Sequence, residues 1–171
     1  ERSVFLDCRV GVGRWAAGIT SAPRGLGALG ERCDFLLNET AVGGSGSIRN
    51  SIFYRNRLAF AASGFHRHFA ALIDRYHRSH NVYFENGRLA DDDIPLGAGA
   101  VHVDPGYRGP VEKSSALLLL SSLEAVLGLR RDSTARGTAA DGGDPGAFGA
   151  VGSARPEAAA PAPTGGRRLT R

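Results

Sequence analysis

Between Gly46 and Tyr76 the chain carries both hydrophobic periods from which secondary structure is read, one after the other. Ile48, Asn50, Ile52 and Tyr54 alternate with Arg49, Ser51, Phe53 and Arg55. A period of two predicts a strand, because successive side chains point to opposite faces. Asn50 then shares a face with Ile48 and Ile52, and a buried amide needs partners, which a neighbouring backbone can supply. Beyond a loop, Phe65, Phe69, Leu72, Ile73 and Tyr76 recur at helical spacing. Ser63 caps that predicted helix. Asp74, Arg75 and Arg78 lie off its apolar stripe.

Shorter runs fill in the frame. Val4-Phe5-Leu6 reads as a buried strand that stops at the carboxylate of Asp7, and Asp34 to Leu37 as a second. Val82 to Phe84 and Val101 to Val103 predict further strands, and Asn86-Gly87 and Asp104-Pro105-Gly106 predict turns. A Leu-rich helix is expected from about Ser115 to Leu129. Gly43 to Gly46 reads as a flexible loop. Val10 to Leu29 reads as a loop or weak helix, since Gly11, Gly13 and Gly18 match neither phosphate-binding glycine fingerprint. Strands alternating with helices point to the α/β class, with no internal repeat evident.

The 171 residues suit one domain. Met is absent and the sequence opens on Glu1, so it reads as a piece of a longer or processed chain. Asp132 to Arg171 is built from Ala, Gly, Pro, Ser, Thr and Arg, with Phe148, Val151 and Leu169 as its large apolar side chains. Such a segment buries little to offset an ordering cost of roughly 1–2 kcal/mol per residue. The expectation is a folded domain over 1–131 and a disordered tail over 132–171.

The net charge is +4. Within 49–80, Arg49, Arg55, Arg57, Arg67, Arg75 and Arg78 face a single acid, Asp74. That local excess suits a polyanion such as nucleic acid. Cys8 and Cys33 form no metal-ligand or disulfide framework. Nothing resembles a secretory signal, and the longest apolar stretch, Ala116 to Leu129, is too short and polar to span a bilayer. His66, His68, His77 and His80 lack a ligand-spaced Glu or Cys, so surface histidines outweigh a zinc site. Asp91, Asp92 and Asp93 read as a solvated acidic loop, and no Gly-x-Ser-x-Gly elbow exists. Asp7 is more pointed, because a carboxylate at a strand end can hold a sugar hydroxyl or a metal-bound diphosphate.

In order, three stretches resemble the DXD-type glycosyltransferases, the group with the sugar-binding DXD region and the catalytic domains of large clostridial toxins. Phe5-Leu6-Asp7-Cys8-Arg9 matches the strand that carries the motif. Ile48-Arg49-Asn50-Ser51-Ile52-Phe53 matches the later Ile-x-Asn strand. Gly64-Phe65-His66-Arg67-His68-Phe69, with Leu72, Ile73 and Tyr76, matches the element opening the next helix. The likeness covers about Ser3 to Phe84. It implies the C-terminal portion of a GT-A-like fold that transfers sugar from a nucleotide-sugar donor to an acceptor the sequence does not specify. Asp7 and Asn50 are the implied donor-binding and catalytic residues. Asp7 is also the implied ligand of a divalent metal, Mn²⁺ or Mg²⁺. The motif's second Asp is Arg9 here, which repels a cation. The alternative expectation is a non-enzymatic module binding a polyanion through Arg49 to Arg78, and a third is an inactive remnant.

Overall fold

The computed structural model describes residues 2–8, 10–13, 28–43, 46–61, 78–90, 95–113 and 120–149. Eleven short strands run in the order β1 (Val4–Leu6), β2 (Val10–Gly13), β3 (Ala28–Glu31), β4 (Asp34–Leu36), β5 (Thr40–Gly43), β6 (Gly46–Arg49), β7 (Ile52–Tyr54), β8 (Leu58–Ala61), β9 (Arg78–Ser79), β10 (Val82–Phe84) and β11 (Arg88–Ala90). They form three parallel sheets: β1-β4-β7-β10, then β11-β8-β5-β2, then β3-β6-β9. Every third strand returns to the same sheet, so the chain winds as a three-sided coil. The helix α1 (Leu120–Leu127) follows. The expected α/β class is present in coarse form, as parallel strands in sheets with one helix among the described residues and with consecutive strands placed in different sheets.

Equivalent positions pair in register at Val4, Asp34, Ile52 and Val82. A repeat therefore exists, contrary to the reading of the sequence. Its second step, Asp34 to Ile52, is the shortest, and the longer first and third steps contain 14–27 and 62–77, outside the described residues. The varying step hides the period. The predicted helix Phe65 to Tyr76, with His66, His68 and His77, falls there. Arg9, Gly18 and Asp91 to Asp93 are likewise outside the described residues. The two ends of the stretch expected to be a loop or weak helix are strands, β2 and the start of β3, because each pairs with a strand of the next coil.

The strand expected across Ile48 to Arg55 is two strands. Asn50 has φ 55° and turns the chain from β6 into β7. Arg32 and His80 take the same left-handed conformation at the equivalent corners, and Asp7, Leu37, Arg55 and Glu85 do so between the first sheet and the second. Asn is among the residues that tolerate this region best. The other expected strand ends fit: Val4–Leu6, Asp34–Leu36 and Val82–Phe84 are strands. Val101 to Val103 is reduced to one bridge, Val82 to Val101. Of the long helix expected over Ser115 to Leu129, 115–119 lie outside the described residues, α1 covers Leu120–Leu127, and Leu129 instead forms a bridge to Tyr107.

Alternation along the first sheet builds two cores. Phe5, Phe35, Phe53 and Tyr83 point into the coil and stack, with ring centroids 5.0, 4.8 and 5.2 Å apart. They pack with Val42, Phe60, Ile48 and Cys33 from the other sides. Leu36, Ile52 and Val82 point outward and are covered by Tyr107, Val111, Leu127, Leu129, Ala135 and Phe148. The last two belong to the segment expected to be a disordered tail. Residues 132–149 instead pack on the coil, using small side chains and polar groups where the sequence offers few large apolar ones. Residues 150–171 lie outside the described residues.

Parallel coiling leaves corner amides without strand partners, and asparagines fill that need. The Asn56 Oδ1 accepts from the Asn38 backbone N–H (3.0 Å) and side chain (2.9 Å), while its Nδ2 donates to the Phe35 carbonyl (2.9 Å). Asn86 repeats this toward Asn56 and Phe53, and Asn38 toward Cys8 and Phe5. At the other described corner Ser51 and Asn81 hold the Cys33 and Ser51 N–H groups. Asn56→Ala strands the Asn38 N–H and the Phe35 carbonyl in the interior. It is expected to cost about 1–3 kcal/mol, read as a lower urea midpoint at an unchanged slope.

Candidate functional site

Asp7 stands where the sequence puts it, at the end of β1, and opens the corner between the first and second sheets. It is exposed, and its Oδ1 lies 2.8 Å from the Nζ of Lys113. Equivalent corners of the next three coils supply Leu37, Asn38 and Glu39, then Arg55, Asn56 and Arg57, then Glu85 and Gly87. With Cys8 and Lys113 these residues line a trough of about 570 Å³ that crosses all four coils. Asn38 and Asn56 form part of its buried floor.

The trough's charges are paired between neighbouring coils. Arg55 Nε lies 2.6 Å from Glu85, and Arg57 lies 3.4 Å from Glu39. With Lys113 and Asp7 this makes three acids and three bases. The basic excess seen along the sequence is thus offset by acids brought in from other coils. Arg49 likewise meets Glu31 at 3.0 Å, and that guanidinium holds the Glu31 carboxyl below its ordinary range. Arg78 is buried, its guanidinium 3.8 Å over the Phe60 ring. Arg67 and Arg75 are outside the described residues.

Asn50 occupies a different corner, between the third and first sheets, and takes no part in the trough. It is buried, its Oδ1 accepts from the Ala140 N–H (2.8 Å), and its backbone carbonyl accepts from Gly146 (2.8 Å). A neighbouring backbone thus satisfies the amide oxygen, while the Nδ2 donates to the Glu31 carboxylate (3.4 Å). Arg32 and Asp34 flank it. Arg32 holds both carboxylate oxygens of Asp141 (2.6 and 2.5 Å) and the Asp144 carbonyl. Asp34 accepts from the Tyr107 hydroxyl and the Ala147 N–H, both at 2.9 Å. Burial pushes its carboxyl from 3.8 up to about 7, and pushes the Tyr107 hydroxyl well above its usual range. This corner ties 139–147 to the coil.

The two residues assigned to a nucleotide-sugar donor therefore lie on separate corners. Among the described residues no three His, Cys, Asp or Glu side chains could hold a metal ion. Asp7, the implied ligand, has an ammonium as its neighbour, which does not fit a divalent cation. No helix of the described residues is long and apolar enough to cross a membrane. No family model, curated protein or solved structure matches the chain.

The sequence points to Arg55 and Arg57 as part of a polyanion-binding face, but not to Glu39, Glu85 and Lys113. For the two acids a signal exists: Phe35 to Asn38, Phe53 to Asn56 and Tyr83 to Asn86 repeat one aromatic-x-x-Asn spacing, which Phe5 to Cys8 shares without the Asn. Residues beside each Asn face the trough. Lys113 comes from the covering segment and has no such marker.

Proposed function

We propose that this chain binds carbohydrate along the trough that contains Asp7. The observation that carries this reading is the trough's chemistry: an open polar channel whose cations and anions are matched in pairs. Carboxylates accept hydrogen bonds and guanidinium groups donate them, which suits the vicinal hydroxyls of a sugar. A polyanion needs unmatched cations, and the pairing with Glu39, Glu85 and Asp7 removes that advantage. Stacked coils are suited to extended ligands because their corners repeat along one direction.

Glycosyl transfer from a nucleotide sugar, on a GT-A-like fold, is the narrower form of this proposal. It places Asp7 on the donor sugar and rests on the three sequence stretches that resemble the DXD-type enzymes. It also requires charge neutralisation at the leaving diphosphate, which Lys113 or Arg57 could supply in place of a metal.

The test is calorimetric titration with neutral oligosaccharides, a nucleotide diphosphate sugar and a single-stranded oligonucleotide at two salt concentrations. A neutral oligosaccharide is expected to bind with little salt dependence, and Asp7→Asn to weaken it about tenfold, near 1.4 kcal/mol. Preference for the nucleotide sugar supports the narrower form. Steeply salt-dependent binding to the oligonucleotide alone overturns the proposal.

A further inference from the structure

The trough has a period, and the period restricts its ligand. Asp7, Leu37, Arg55 and Glu85 are one column of equivalent residues, and Glu39, Arg57 and Gly87 are the adjoining one. Each coil therefore offers polar atoms about 4.8 Å further along the stacking direction than the last. An extended 1,4-linked pyranose chain with equatorial linkages advances by nearly that distance per ring. A chain coiled by axial linkages does not keep its rings in step with such columns.

We infer that the ligand is an unbranched, extended β-1,4-linked oligosaccharide lying along the stacking direction, one ring to each coil. The inference rests on the carbohydrate reading of the same trough. The ion pairs join successive coils, with Glu39 to Arg57 between the second and third and Arg55 to Glu85 between the third and fourth. A ring seated on either step finds a donor and an acceptor within one pair. The floor is preorganised, because the buried amides of Asn38 and Asn56 are fixed by their own ladder.

The two ends of the trough differ. At the first coil Lys113 reaches Asp7 from the covering segment. At the fourth coil the column ends in Gly87, where a Cβ would stand 2.9 Å from the Arg57 carbonyl oxygen. A side chain there is excluded by backbone, so this end carries no side-chain wall at that position.

Calorimetric titration of the full chain with β-1,4-linked oligomers of glucose and of N-acetylglucosamine, from monomer to hexamer, reads the period directly. Affinity is expected to climb with each added ring and to level off at about four, the number of coils in the trough. The α-1,4-linked glucose oligomers of equal length should bind at least about tenfold more weakly. A monomer that binds as well as a tetramer, or α-linked chains that bind as well as β-linked ones, overturns the inference and leaves carbohydrate binding standing. No binding by any saccharide overturns both.

Discussion

A chain ending at Arg131 is expected to lose most of its stability. The truncation removes Ala135 and Phe148 from the cover over Leu36, Ile52 and Val82 and leaves Tyr107, Val111, Leu127 and Leu129 to cover them alone. It also removes the partners of three polar groups beneath the cover. Arg32 loses Asp141 and the Asp144 carbonyl, Asp34 loses the Ala147 N–H, and Asn50 loses Ala140 and Gly146. Each hydrogen bond lost in this way, its partners now open to water, costs about 0.5–1.5 kcal/mol net and about 1.5–3 kcal/mol where a charge takes part, in addition to the lost apolar burial. Together these losses are a large part of the roughly 5–15 kcal/mol that holds an ordinary domain together. The shortened chain should show no cooperative thermal transition, or one far below that of the full chain. Arg32→Gln in the full chain localises the effect, with an expected loss of about 2–3 kcal/mol from its charge-assisted hydrogen bonds. Equal melting temperatures for full and shortened chains would mean that 132–149 contributes nothing to the fold.

The sequence argues for disorder in that segment because composition measures what a segment can bury by itself. Residues 132–149 are held mainly by what they meet. Ala135 and Ala147 are small enough to lie close on the sheet, and backbone N–H groups at 140, 146 and 147 find acceptors already placed by the coil. No local pattern records that complementarity. The same limit applies to Lys113, which reaches the trough only through the path of the covering segment.

Elements set by local periodicity are legible. Val4–Leu6, Asp34–Leu36 and Val82–Phe84 are short apolar runs ended by turn residues, and each is a strand. Asn50 defeats the same logic. The left-handed corner swaps the faces, so Ile48 points into the coil and Ile52 out of it, but both faces are apolar here and Ile48 to Tyr54 still looks continuous although the chain bends at Asn50. The coil as a whole was encoded by an aromatic and an Asn recurring together rather than by hydrophobicity. Asp7 was legible as a strand-end carboxylate. Its trough was not, because Glu39 and Glu85 are distant in sequence from the arginines they meet.

Asp34→Asn is expected to stabilise the protein above neutral pH and to leave it nearly unchanged near pH 4. Asp34 sits in an outward-facing column with Val4, Ile52 and Val82, sealed by Tyr107 and Ala147. Burial disfavours its ionised form and pushes its carboxyl to about 7, against 3.8 when exposed. Between those values the folded chain keeps a proton that the unfolded chain has released, so stability falls as pH rises. The contribution is complete below 3.8, is lost progressively up to about 7, and is level beyond it. At about 1.4 kcal/mol per pH unit the whole effect is on the order of 4 kcal/mol. Asn keeps the shape, accepts from the Ala147 N–H through its oxygen, and donates to the Tyr107 hydroxyl, which can also act as an acceptor. The measurement is the difference in unfolding free energy between wild type and variant from pH 4 to pH 8. Subtraction removes the opposite slope of Glu31 and Asp141, whose carboxyls are held low and lose their contribution as pH falls. The difference should grow toward neutrality and then flatten. A constant difference across that range would place Asp34 in contact with water and remove the argument that Tyr107 and Ala147 seal the sheet.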